Sequence, residues 1–293
     1  MVYCRPPPNI STIGHVRGVL HVVATPIGNL EDITLRAIRV LKEVSLIACE
    51  DTRETRKLLE RYGITTPLLS CHEHNEAARA GQIAARLERG ESVALVSDAG
   101  TPLVEDPGYR IVTLALERGF EVRPAPGACS VVAALSASGL PTDSFFFGGF
   151  LPPKAGKRRA RLQELAGLPA TLVFCEAPHR ILETLRDCEA VFGSRRVVVA
   201  REITKIHEEF LRGTAAQVRG ALESRPAVKG EIVLMVDRAP SEASPAGISL
   251  ELCYRELLGQ GMPRREALKE AARRCGVGRR EAYRLLSVQR DDS

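Results

Sequence analysis

Short apolar runs in this chain end repeatedly at corners of Gly, Pro and small residues, and that punctuation admits little besides repeated strand–helix units. Val93–Val96 runs into Ser97-Asp98-Ala99-Gly100-Thr101-Pro102 and then Asp106-Pro107-Gly108. A short apolar run bounded by Gly and Pro reads as a buried strand. Asp106 followed by Pro107 fits a helix N-cap with proline at the first helical position. Ala99 and Gly100 carry almost no side chain, so a ligand can approach the backbone there. An earlier corner has the same form: Val19–Val23 leads into Ala24-Thr25-Pro26-Ile27-Gly28-Asn29, with a helix starting near Asp32. Strands are also expected at Leu46–Cys49, Pro67–Ser70 and Glu121–Arg123, with helices between them. In the helix over 108–118, Ile111, Leu114 and Ala115 fall at i, i+3 and i+4. Repeated βα units argue for a largely parallel sheet with helices on its faces.

The second half changes character. After Pro124-Ala125-Pro126-Gly127 comes a small-residue helix, Ser130–Ser138, closed by Gly139-Leu140-Pro141. Strands follow at Phe145–Phe147, Thr171–Cys175, Val197–Ala200, Glu208–Leu211 and Glu231–Val236. Residues 239–247, rich in Ala, Ser and Pro, read as a linker. Helices are expected at Leu250–Leu258, Pro263–Arg274 and Arg279–Leu286. The resulting division is a disordered tail over 1–18, an α/β domain over 19–140, an α+β domain over 141–238, the linker, and a helical RNA-binding module over 248–293.

No run approaches the ~20 apolar residues of a membrane helix, and the first 18 residues lack the apolar stretch of a secretory signal. The eight cysteines form no Cys-x-x-Cys pair and mostly lie in apolar runs, as reduced buried cysteines do. Cytoplasm is the natural compartment. The net charge of +5 is concentrated: residues 261–286 hold eight Lys/Arg against three Glu, so the rest of the chain sums to zero. A second cluster is Lys154, Lys157, Arg158, Arg159 and Arg161, read as a basic loop. Clustering of this kind points to a polyanionic partner, although a solvated helix face has the same composition.

The corners Ala24-Thr25-Pro26-Ile27-Gly28-Asn29 and Ser97-Asp98-Ala99-Gly100-Thr101-Pro102, with the turn Gly149-Phe150-Leu151-Pro152, closely resemble the ribosomal RNA small subunit methyltransferase I group of the tetrapyrrole methylase superfamily. Supporting matches are Glu50-Asp51-Thr52-Arg53, His72-Glu73-His74-Asn75-Glu76, Glu176-Ala177-Pro178-His179-Arg180, Arg201-Glu202-Ile203-Thr204-Lys205 and Lys229-Gly230-Glu231. The resemblance covers roughly Val19–Asp237 and, more loosely, the helical tail. It implies a tetrapyrrole-methylase-like α/β fold, with the cofactor folded in a cleft between two α/β domains. It also implies a homodimer that uses S-adenosylmethionine to methylate a cytidine ribose 2′-OH in small-subunit (16S) ribosomal RNA, free or within the 30S subunit. Residues matched to the cofactor are Pro26, Ile27, Asp98, Gly100, Thr101, Val104, Ala128, Cys129, Ser130 and Gly230. One departure is visible: Cys175 stands where the group usually has an aromatic residue before Glu176, which puts one wall contact in question.

Ribose methylation needs alignment and a way to lose a proton. Glu50, Asp51, Arg53, Glu176 and Lys205 are the catalytic candidates. His74, Asn75, Lys154, Lys157, Arg158, Arg159, Arg180 and Arg201 are the substrate-binding ones, arginines suiting phosphates. Structural readings stand beside these. Asp51 with Glu54 fits a capping box, Ser130 fits a cap of its own helix, and Glu176 with Arg180 fits an intrahelical pair. Cys71-His72-Glu73-His74 lacks a partner cluster with ligand spacing, so no metal is expected. Two other functions compete: methylation of a tetrapyrrole, small molecule or protein by the same superfamily, and a non-enzymatic helix-turn-helix regulator built on 263–286.

Overall fold

The computed structural model describes residues 17–239, 250–275, 277–278, 282–283 and 286. The expected linker lies outside them except for Ala239, the expected final helix except for 282, 283 and 286, and the expected tail except for 17 and 18. The first sheet holds β1 (Val19–Val23), β2 (Leu46–Cys49), β3 (Leu68–Ser70), β4 (Val93–Leu95) and β5 (Glu121–Ala125), all parallel, in the order β3-β2-β4-β1-β5. Strand β2 is buried along its whole length, as a parallel strand covered on both faces must be. One face carries α1 (Leu35–Glu43) and α2 (Thr52–Arg61), through Ala37, Val40, Leu41, Leu58 and Leu59. The other carries α3 (Glu76–Glu88) and α4 (Tyr109–Glu117), through Ile83, Leu87, Ile111 and Ala115.

The start of α4 corrects the reading of Asp106. The helix begins at Tyr109 behind Gly108, whose φ is +131°. Its first amides are capped by a residue from another element: Glu76 Oε1 accepts from Gly108 N at 3.1 Å and Arg110 N at 2.8 Å. Leu103 and Glu105 take left-handed φ values of +72° and +64° just before it. The Asp106 carboxyl is thereby released from capping.

The second sheet contains β6 (Phe145–Phe150), β7 (Thr171–Glu176), β8 (Arg196–Arg201), β9 (Glu209–Thr214) and β10 (Ile232–Val236), in the order β6-β7-β10-β8-β9. Only β6 and β7 run parallel; the other pairs are antiparallel. Period-two alternation splits the strands cleanly. Leu172, Phe174, Ile232 and Leu234 meet α6 (Ala155–Leu165), α7 (Ile181–Phe192) and α8 (Ala215–Glu223). Val173, Val233 and Met235 point the other way, onto α5 (Ser130–Ser138). Position in sequence assigns α5 to the first domain, but it packs on the second sheet. It is apolar on most sides, with Val131, Ala134 and Leu135 buried there.

The basic stretch is also corrected. Lys154 is the N-cap of α6, so 155–161 is helix, not loop. Lys154, Lys157 and Arg159 are exposed, but Arg158 is 1% exposed and its Nε donates to Asp187 Oδ2 at 2.7 Å. Beyond the linker, α9 (Leu250–Gly259) and α10 (Arg264–Arg274) close a small core of Cys253, Leu257, Ala267, Ala271 and Cys275.

Candidate functional site

Three corners of the first sheet are tied together at its C-terminal edge, where open α/β sheets bind ligands. Thr25 N donates to Gly100 O at 2.8 Å and Gly100 N returns a bond to Thr25 O at 3.1 Å. Thr25 Oγ1 donates to Ser97 O at 3.1 Å, and Thr101 Oγ1 to Ala128 O at 3.1 Å. Ala24–Asn29, Ser97–Pro102 and Pro126–Ser130 thus form one ledge. Gly100 sits at φ +86°, and a Cβ there would lie 3.2 Å from Ile27 Cγ2. Its bareness lets Ile27 pack down, a role different from the direct ligand approach expected of it.

A cleft of ≈ 400 Å³ opens between this ledge and the second sheet. Ile27, Val104, Phe150, Ile203 and Ile232 give it apolar walls, while Glu105, Asp106, Ser130 and Glu231 supply polar groups. Of the residues matched to the cofactor, Ile27, Val104, Ser130 and Gly230 line it; Pro26 and Asp98 line an adjoining pocket of ≈ 300 Å³ instead. Cys175 lines the cleft too, its thiol pushed up to about 12 by burial and by Glu105. The aromatic face comes from Phe150, the register partner of Cys175 across the β6–β7 ladder.

The carboxylates differ in how readily they ionise. Asp106 is pushed up to about 6, first by burial and then by Glu50, with Asp98 and Glu105 adding repulsion. Glu50 and Asp98 are raised as well, chiefly by burial, with Asp98 adding repulsion on Glu50 and Asp51 on Asp98. Asp51 goes the opposite way, to about 2, because Arg53 grips it through side chain and backbone. It is the N-cap of α2, accepting from Arg53 N at 2.8 Å; Glu54 pairs with Lys57 and closes no reciprocal box. Nothing in the sequence distinguishes Asp106 as a cleft residue, because Asp-Pro-Gly is an equally good helix start.

Glu176 has a buried side chain and its oxygens are taken: they accept from Ala177 N at 2.8 Å, Thr184 Oγ1 at 2.6 Å and Arg180 Nη2 at 3.3 Å. It ends β7 while Arg180 caps α7, so the pair spans a corner, not a helix turn. Arg180 also donates to Leu151 O at 2.6 Å, and Arg201 to Glu209 at 3.2 Å and Lys229 O at 3.1 Å. Both arginines brace the second-domain loops. Lys205 lies over Gly28, with Nζ 2.9 Å from Glu202 and 3.4 Å from Glu231. Burial opposes its charge, but those two carboxylates hold its pKa above the ordinary lysine value.

The His72–Asn75 segment follows β3. Asn75 Oδ1 accepts from His72 N at 2.9 Å, His74 is exposed, and Cys71 is buried. The His72 and His74 rings meet edge to face at 5.9 Å and the Asn75 amide lies 3.0 Å from His72 Nε2, so these three side chains cluster beside the buried Cys71.

A family model described as Tetrapyrrole (Corrin/Porphyrin) Methylases matches residues 19–219. Ribosomal RNA small subunit methyltransferase I of Pseudomonas aeruginosa is 48% identical over 269 residues, 91% of this chain and 95% of that protein. Its namesake from Halalkalibacterium halodurans is 45% identical over 275 residues, 92% and 94% respectively. The chain belongs to the ribosomal RNA small subunit methyltransferase I family, within the tetrapyrrole methylases. The fold agrees: the methyltransferase CobJ superposes with a TM-score of 0.56 at 20% identity, over 76% of this chain and 95% of that one. A uroporphyrin-III C-methyl transferase from Thermus thermophilus, complexed with S-adenosyl homocysteine, does so at 0.52 and 19%, over 75% and 97%.

The cofactor expected for this family member, S-adenosylmethionine, goes with the family, and the cleft's donor set fits it. Apolar walls suit an adenine ring. Glu105, Asp106 and Glu231 suit ammonium, sulfonium and ribose hydroxyls. The first turn of α5 faces the cleft through Ser130, and Cys129 provides no side-chain cap there, leaving amides for a carboxylate.

Proposed function

We propose that this chain transfers a methyl group from S-adenosylmethionine to the ribose 2′-OH of a cytidine in small-subunit ribosomal RNA, acting as a cytoplasmic homodimer. The observation that carries this reading is the interdomain cleft, whose apolar walls, carboxylates and open α5 terminus suit that donor. The names of the relatives supply the RNA class. S-adenosylmethionine brings an activated methyl on sulfur; the protein's work is alignment and removal of one proton.

Alignment comes from the ledge and the braced second-domain loops, and in-line positioning supplies much of the acceleration. The proton needs a carboxylate with a free oxygen. Asp51, committed to Arg53, and Glu176, with its oxygens taken, serve as positioning residues. Glu105, Asp106 and Glu231 are the carboxylates of the cleft lining besides Glu176. Exposed Lys154, Lys157 and Arg159 on α6 offer phosphate contacts.

The test is direct. 30S subunits from a strain lacking this gene are incubated with the protein and labelled S-adenosylmethionine, and nucleosides are then resolved by mass spectrometry. A single 2′-O-methylcytidine in 16S rRNA is expected. Label on a base, on another nucleoside, or on protein alone would replace this reading. Sedimentation velocity at micromolar concentration checks the homodimer.

A further inference from the structure

A second cavity, of ≈ 300 Å³, lies beside the cofactor cleft, between the α2 face and the loop that carries Lys205. Its lining shares Ile27, Ala99 and Glu231 with the cleft, so occupants of the two cavities would touch there. Pro26, Leu30 and Leu58 make flat apolar surface; Asp98 and Lys205 bring a carboxylate and an ammonium to the same space.

One side of the cavity is held rigidly. Lys205 lines it and follows a loop in which Glu202 and Thr204 take φ values of +52° and +66°, and the Lys205 stem crosses Gly28, where a Cβ would lie 2.5 Å from Lys205 Cγ. Strain in non-glycine residues persists where surroundings over-determine it, commonly at ligand clamps.

We propose that this cavity is the acceptor pocket, taking one nucleoside drawn out of the RNA, with its base against Pro26, Leu30 and Leu58 and its ribose at Ile27, Ala99 and Glu231. The assignment rests on the rRNA reading above. Enzymes that do chemistry on a base extract the nucleotide from the stack into a snug pocket, and the same extraction would bring a ribose 2′-OH to the edge of the cofactor cleft. RNA bases so exposed are read along their hydrogen-bonding edges. An aminopyrimidine suits the polar set: a carboxylate such as Asp98 accepts from an exocyclic amine, and Lys205 donates to a ring carbonyl. Uracil would turn a carbonyl toward Asp98.

Position 57 is on the exposed rim of α2, with Lys57 engaged only at the surface with Glu54. Full-length protein carrying Lys57→p-benzoylphenylalanine, loaded with S-adenosylhomocysteine, is irradiated with unmethylated 30S subunits, and the crosslink is mapped by reverse transcription. The same probe at exposed Leu116 on α4 is the control. The expected result is one crosslink from position 57, at or next to the nucleotide that the wild-type protein methylates. Methylation of rRNA with the crosslink elsewhere, or with none above the Leu116 control, overturns the pocket and leaves the reaction intact. Absence of rRNA methylation by the wild type overturns the reaction itself. As a second readout, Asp98→Asn keeps shape and removes the carboxylate offered to the amine. It should raise the KM for 30S subunits about tenfold while leaving S-adenosylhomocysteine affinity unchanged by calorimetry; unchanged KM, or loss of cofactor affinity, counts against the assignment.

Discussion

Thr25 and Gly100 exchange two main-chain hydrogen bonds, of 2.8 and 3.1 Å, and so fasten the first strand's corner to the fourth's. Because Gly100 is left-handed and sits 3.2 Å short of Ile27 in Cβ space, a side chain there strains the backbone and lifts Ile27. Left-handed geometry costs an L-residue roughly 1–2 kcal/mol. Gly100→Val should therefore lower stability by at least about that amount. It should also weaken S-adenosylmethionine binding through the displaced Ile27. Thermal unfolding and calorimetric titration read the two effects separately. A variant with wild-type melting temperature and affinity would show that this packing does not shape the cleft.

Arg158 and its neighbours should behave as opposites. Removing one member of a buried ion pair costs about 3–5 kcal/mol, and Arg158→Ala leaves buried Asp187 with only a distant Arg159 at 3.8 Å. Large destabilisation is expected in urea titration. Lys157→Ala with Arg159→Ala should leave the fold alone and weaken rRNA binding, lowering the salt slope by about one for each phosphate no longer neutralised. If the double variant binds RNA with an unchanged slope, α6 does not face the substrate.

These residues also show what the sequence can carry. Strand positions and both corners are readable because short apolar runs with Gly and Pro at their ends leave few alternatives. Val19–Val23 and Leu46–Cys49 fall where expected. Direction around a helix is harder to read: Lys157, Arg158 and Arg159 look alike in sequence, and only packing against α7 turns the middle one inward. Asp106 escapes sequence reasoning for a related reason. Its expected cap role is filled by Glu76, thirty residues earlier, and such a long-range substitution leaves no local pattern. The acceptor pocket is hidden because its parts come from the first corner, α2, the fourth-strand corner and the 202–207 loop. In sequence, Glu231 is no more than one member of a motif.

Asp106 supplies a pH signature. Its folded pKa, about 6, lies above the 3.8 expected of a free aspartate, so the native state holds the proton more tightly than the unfolded one. Below pH ~4 both states are protonated and the group contributes nothing. Between about 4 and 6 stability falls as pH rises, and above that the penalty is full. The carboxyl is partly exposed, so solvent screening reduces the effect. Asp106→Asn should raise the melting temperature at pH 7.5 and match wild type near pH 3.5. Parallel curves for the two proteins from pH 4 to 7 would contradict the assigned shift.

The C-terminal module should be separable from catalysis in its energetics. Helices α9 and α10 bury a core of five residues against each other, too small to stand firmly alone. The two sheets bury their own faces without it. Residues 261–286 carry a charge equal to that of the whole chain. Tyr254, Arg264 and Arg265 line a groove of ≈ 260 Å³ on the module. Aromatic and guanidinium groups of this kind suit unpaired nucleotides. Deleting 249–293 should therefore leave S-adenosylmethionine affinity and the main unfolding transition within error, while the KM for 30S subunits rises and its salt dependence flattens. Equilibrium binding to 16S rRNA fragments and to intact subunits, at two salt concentrations, measures this. A truncated protein that loses cofactor affinity would place the module in the cleft's support. An isolated module that binds one DNA sequence tightly at physiological salt would revive the regulator reading.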